Sequence, residues 1–203
     1  MNLKFPLRLF GSIPYYAAMS RCSFISFDTA ARYNKAEKDT HRFAIADTRG
    51  LLRLTVPVSR QAGATLWRHV TVSDHGRWWE TMPIALESAY GRTPYFEFYI
   101  DRLRPLFSPE PVSVPDLCLA ADAHVRRMLD IRATVLDPGS PEALAAPLLS
   151  PVEGTALPPY WQVRAHELGF IGSLSILDLI FNLGPDAQIY LQQLSTTAVE
   201  NPR

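Results

Sequence analysis

The chain has no surplus charge of either sign: 20 Lys and Arg balance 20 Asp and Glu. Gripping nucleic acid by counterion release needs clustered, unbalanced cations, so no nucleic-acid partner is expected. Cysteine is nearly absent. Cys22 and Cys118 stand alone with no CxxC, which excludes a disulfide framework and a cysteine zinc site and suits a reduced, cytoplasmic protein. Each reads as a small buried hydrophobe. No apolar run approaches the ~20 residues needed to cross a bilayer, so no membrane span is expected. The opening residues carry Lys4 and Arg8 and are cut by Pro6 and Pro14; they read as part of the fold and not as a leader. Glycine is sparse, at 10, against 17 prolines, which must fall in turns, helix starts and connections. What is present is ordinary globular material: 47% apolar and 20% charged residues over 203 positions, read as a single domain spanning 1–203.

The hydrophobic pattern describes an α/β chain with a strand-rich N-terminal third and a helical C-terminal half. The apolar stretch Leu7 to Phe10, a loop, a short helix with Pro14 in its first turn, and Phe24 to Phe27 read as strand, loop, helix, strand. This βα-type opening is the crossover that parallel strands require. His41 to Ala46 and Leu51 to Val58 flank Asp47-Thr-Arg-Gly50 and predict a hairpin. Leu52, Leu54 and Val56 alternate with Arg53 and Thr55, and Pro57 places the strand's end at a sheet edge. Trp67 to Val72 reads as a further strand. Trp78, Met82, Leu86 and Tyr90 then fall four apart on one helix face, followed by Gly91 as a stop. A helix after Pro94 turns Phe96, Tyr99, Ile100 and Leu103 inward, and another runs from Asp116, its expected N-cap, to Ile131. Residues 137–160 hold Pro138, Pro141, Pro147, Pro151, Pro158 and Pro159 and read as a surface connection wrapping the domain. Tyr160 to Gln193 is helical again, interrupted at Gly169 and Gly172. It includes an apolar helix after Ser173 that stops at Gly184-Pro185.

Several segments, in this order, resemble the WbqC-like protein family nearly from end to end. They are Ile13-Pro14-Tyr15-Tyr16, Phe27-Asp28, Tyr33-Asn34-Lys35, His41-Arg42, and Gly50 followed by Leu54-Thr55-Val56-Pro57-Val58. Further on come Trp78, Ala89-Tyr90-Gly91 with Pro94-Tyr95-Phe96, and Leu174 to Asn182 with Gly184-Pro185. The chain departs from the family pattern at two places. His41 stands where Asn is common, and Met82 stands where a His usually follows the Trp, so a catalytic role for that family His does not carry over. The resemblance implies a cytoplasmic step in O-antigen-type or other surface-polysaccharide synthesis. The suggested activity is transfer of glycine or another acyl group to a nucleotide-linked amino sugar. The alternative, which Met82 favours, is a non-catalytic sugar-nucleotide-binding or scaffolding protein of such a pathway.

Asp28, Tyr33, Lys35, His41 and Arg42 bring an acid, a phenol, two cations and an imidazole within a short span. Lys35 and Arg42 suit the diphosphate of a nucleotide sugar, a small-molecule substrate. Asp28, where a strand should end, could position a sugar hydroxyl or take a proton, and His41 could serve as base near neutral pH. The ordinary explanation is a solvated charged loop, with Glu37, Lys38 and Asp39 on its side; the resemblance tips Asp28, Lys35 and Arg42 toward a site. Backbone amides at Tyr15 to Ala17 would open a helix and could seat a phosphate, although Tyr15 and Tyr16 could equally well only pack. Tyr90 and Tyr95 are candidates for stacking a sugar face, while Trp78 belongs to the core. Ser175-x-x-Asp178 reads as a capping box rather than a functional acid. His69, His75, His124 and His166 lack metal-ligand spacing, and no GxGxxG, P-loop, G-x-S-x-G or Cys–His–Asn pattern occurs. Neither metal nor cofactor is expected, a covalent acyl-enzyme is not indicated, and nothing in the sequence specifies an oligomeric state.

Overall fold

A computed structural model describes residues 1–149 and 156–197. Strand β1 (Asn2–Phe5), helix α1 (Ile13–Ser20) and strand β2 (Phe24–Phe27) form the expected opening, with β1 and β2 parallel and Phe5 opposite Phe27. The first strand lies ahead of Leu7 to Phe10. Pro6 ends it, and that apolar stretch instead runs into the core outside any strand, with Leu7, Leu9 and Phe10 buried. Strand β3 (Arg42–Asp47) and β4 (Gly50–Thr55) make the hairpin, and its turn places Gly50 at φ +111°. Strand β5 (Val58–Arg60) follows the break at Pro57 and pairs antiparallel with β6 (Val70–Val72). Only the end of the predicted Trp67 to Val72 strand is extended; Trp67–His69 is a 3-10 turn with Trp67 buried.

The middle of the chain is helical. In α2 (Trp78–Tyr90) the four-residue stripe Trp78, Met82, Leu86 and Tyr90 is buried as its spacing requires. In α3 (Phe96–Leu103) Phe96, Tyr99, Ile100 and Leu103 are buried. Helix α4 (Val114–Met128) begins earlier than expected. Its N-cap is Ser113, whose hydroxyl accepts from the Asp116 amide, so Asp116 is the third residue of the helix and not the cap. Strand β7 (Thr134–Val135) then adds to β2, giving a parallel sheet in the order β1-β2-β7.

The proline-rich connection covers an edge. After the short helix α5 (Pro141–Ala145), Lys4 of β1 donates to the Pro147 carbonyl and accepts from Leu149. That contact blunts an otherwise open strand edge. Residues 150–155 of the predicted connection lie outside the described residues. The stretch from Tyr160 is mostly irregular, with one turn of helix, α6 (Ala165–Leu168), where helix was expected. Helix α7 (Ile176–Leu183) has Ile176 through Asn182 all buried, apolar on every side but for Asp178 and Asn182. Gly184 (φ +55°) ends it, and α8 (Asp186–Thr197) returns against α1. The buried faces of α1, α2, α3, α4 and α7 meet β2 and β3 in one hydrophobic cluster.

Candidate functional site

A cavity of about 230 Å³ opens where three parts of the chain meet: the segment leading into α1, the hairpin β3–β4, and the start of α7. Strand geometry decides which hairpin residues face it. Arg42 lies opposite Thr55 and Ala44 opposite Arg53, so these four share one face, while Phe43, Ile45, Leu52 and Leu54 share the other. Phe43 and Ile45 are buried, which anchors the hairpin and leaves Arg42 and Arg53 lining the cavity. The Arg42 Nε donates to Thr55 Oγ1 at 2.8 Å, which orients its guanidinium. Arg8 joins them from the β1–α1 connection and pairs with Glu37 at 2.6 Å. Asp39 is the one carboxylate among the lining residues.

Two helix starts contribute to the cavity's lining. Ser12 precedes α1 and Ser175 precedes α7, and the two residues form an antiparallel bridge. Ser175 donates its amide to the Ala44 carbonyl, and Ile176 donates to the Gly11 carbonyl, so α7 is strapped to β3 and to the α1 entry at once. Phe10, on the same rim, holds φ +48°, a left-handed conformation unusual for an aromatic residue and maintained by full burial against Phe43 at 4.9 Å.

Of the residues singled out from sequence, Tyr15 and Arg42 line this cavity. Tyr15 is a wall: its hydroxyl donates to the Pro6 carbonyl, its ring packs edge-on against Phe5, and burial raises its phenol well above the ordinary value. The other candidates stand elsewhere. His41 is buried, its Nδ1–H donates to the Val56 carbonyl at 2.8 Å, and its ring lies 6.0 Å from Trp67. Tyr33 packs edge-on against the same Trp67, with the Arg60 guanidinium 5.2 Å from its ring centre. Lys35 is exposed, and Asp28 is half-buried at the end of β2, its amide bonded to the Phe5 carbonyl. Tyr90 is buried with its hydroxyl accepting from the Ala46 amide, and half-buried Tyr95 packs its ring against Gly184.

The capping box expected at Ser175 and Asp178 does not form. The Ser175 side chain makes no cap, and the Asp178 carboxylate turns sideways to accept from the Tyr160 hydroxyl and from Gln162 Nε2 at 2.8 Å. Asn182, one turn on, donates to the Asp178 carbonyl and accepts from the Val163 amide. This network ties the irregular stretch after Tyr160 to α7. Burial raises the Asp178 carboxyl above its ordinary range, against the pull of its donors. Among the described residues no group of three His, Cys, Asp or Glu could hold a metal ion, and no helix is long and apolar enough to cross a membrane.

Sequence reasoning missed Arg8, Ser12, Arg53 and Ser175. Arg53 was visible in the alternation of β4; the two serines were visible only as residues preceding helices. Comparison with curated proteins and with solved structures gave no match. Comparison with family models gave one, over residues 9–140, a stretch that contains the hairpin, the α1 start and two of the three cavity arginines, Arg42 and Arg53. With the α/β fold and the ordered segments that carry the likeness in place, the chain belongs to the WbqC-like protein family.

Proposed function

We propose that the protein binds a nucleotide-linked amino sugar through its diphosphate in the arginine-lined cavity, and that it works in surface-polysaccharide synthesis of the O-antigen type. The observation that carries this reading is the convergence of Arg8, Arg42 and Arg53 on one cavity in a chain whose net charge is zero. Guanidinium forks match phosphate oxygens in geometry as well as charge. The volume is below the ~300–1,000 Å³ of sites that engulf a drug-sized ligand, so the cavity suits the phosphates and a neighbouring sugar, with the nucleoside lying outside. Membership in the family supports the pathway.

The chemistry we attach to this site is acyl transfer. The sugar's amine attacks the carbonyl carbon of an activated glycyl donor, a thioester or acyl phosphate. The new N–C bond forms, the leaving group departs with its electron pair, and the amine's proton passes to a base. Asp39, inside the cavity lining, is the base this geometry favours; Asp28 and His41 would have to act from outside the lining. A second reading, non-catalytic binding, is favoured by His41, whose Nδ1–H is committed to a carbonyl, and by Met82, which is core where the family usually carries His.

Thermal melting tests the shared premise. An amino-sugar nucleotide raises the melting temperature of the wild type, and Arg42→Ala abolishes the shift; no shift with any nucleotide sugar refutes both readings. Turnover with an activated glycine then separates enzyme from binder.

A further inference from the structure

We infer that the anion's place in this cavity is the paired start of α1 and α7, where Ser12 and Ser175 offer their hydroxyls to a phosphate or pyrophosphate oxygen beside the guanidiniums of Arg8 and Arg42. The inference deepens the preceding reading, on whose cavity it rests, by naming the seat and its donors.

Two of the four serines that precede helices leave their capping bonds unmade. Ser113 and Ser140 cap α4 and α5 in the ordinary way, each hydroxyl accepting from an amide in the first turn. Ser12 and Ser175 also precede helices, yet neither side chain caps. Ser175 is only 3% exposed and its Oγ has no hydrogen-bond partner among the described residues. A buried hydroxyl without a partner is costly; the Oγ is closed off from solvent, and a turn of this side chain toward the cavity that Ser175 lines would give it an arriving oxygen as partner.

The local field favours an anion there. A helix start carries a partial positive charge, and here two eight-residue helices present theirs side by side through the Ser12–Ser175 bridge; the Ser175 and Ile176 amides of α7 are already given to the Ala44 and Gly11 carbonyls, so the serine hydroxyls and the helix field, not those amides, are what the anion meets. No acid occupies the first turn of α1. The first turn of α7 does contain Asp178, but its carboxylate is engaged by Tyr160 and Gln162. Three guanidiniums outweigh Asp39, the carboxylate that opposes an anion in this cavity. Arg8 is already paired with Glu37, so an incoming phosphate shares or takes over that guanidinium.

Isothermal titration of the full chain with inorganic pyrophosphate, and separately with an amino-sugar nucleotide, tests the seat. Ser12 is exposed and aspartate is a good N-cap, so Ser12→Asp keeps the fold while placing a carboxylate in the seat. The wild type binds pyrophosphate, and Ser12→Asp weakens it by about tenfold or more. Ser175→Ala weakens it by a smaller factor without lowering the melting temperature. Pyrophosphate binding equal to wild type in both serine variants overturns the seat, and so does a wild type that binds the nucleotide sugar but not pyrophosphate; in either case the functional reading survives. Conversely, pyrophosphate binding lost in the serine variants, with no nucleotide sugar bound by wild type, leaves the seat standing and removes the functional reading.

Discussion

His41 is held by two opposing influences whose balance sets how the protein responds to acid. Burial disfavours the imidazolium and is the larger effect, and Lys38 and Arg42 push the same way; the bond to the Val56 carbonyl pulls back. The net result lies below the ordinary value of 6.5. A lowered basic group binds its proton less tightly folded than unfolded. Its contribution to stability is therefore present above 6.5 and is lost as pH falls through the folded value. Replacing the ring by an uncharged amide, His41→Gln, keeps a donor within reach of Val56 and removes the titration. Urea midpoints measured as the solution is acidified below 6.5 should fall more steeply for wild type than for His41→Gln. Parallel slopes would show that His41 is not the group responsible. The same burial explains why an imidazole that looked like a base in the sequence packs beside Trp67: its neighbours in the chain are charged, but its neighbours in space are Val56 and an indole.

Among the elements, the serines before helices make the clearest contrast. Ser113→Ala removes an amide acceptor from α4 and should cost about 1 kcal/mol of unfolding free energy. Ser175→Ala removes a hydroxyl that caps nothing and should leave stability unchanged or slightly raised. Chemical denaturation of the two variants checks the pair, and an equal loss in both would mean that Ser175 has a structural partner. This contrast also marks where the sequence is readable and where it is not. The βα opening, the hairpin and the buried stripe of α2 follow from local periodicity, because burial of one face is all they require. The cap of α4 lies three residues before Asp116, since Ser113-Val-Pro-Asp116 offers two good capping residues and only the backbone chooses between them. Ser175-x-x-Asp178 misled more deeply: the same letters spell a capping box or a buried carboxylate, and the deciding partners, Tyr160 and Gln162, approach from an irregular stretch. Arg42 was legible from its charge and context. Its face-mate Arg53 required the hairpin register, and Arg8 required knowing that the chain bends back at Phe10.

At the scale of the molecule, the cavity is the product of closure rather than of any one segment. Its walls come from the β1–α1 connection, the hairpin and the α7 start, and Ser173, Leu174 and Ser175 lie beyond the 9–140 stretch that the family model matches. The three parts touch because α7 threads its first two amides onto Ala44 and Gly11, and the Asp178 network then locks α7 to the stretch after Tyr160. An anion bridging the arginines and the two helix starts would therefore tighten all three parts together, since none can open without releasing it. Hydrogen exchange with saturating pyrophosphate should slow amides in the Gly11 to Tyr15 region, in β3 near Arg42 to Ala44, and in Ser173 to Ile176 together, and by more than the amides of α3 and the β5–β6 pair, which gain only the global stabilisation that any bound ligand brings. Protection confined to the hairpin would mean that the arginines bind anions at the surface without the helix starts. Extra protection centred on α3 and β5–β6 instead would place the ligand elsewhere.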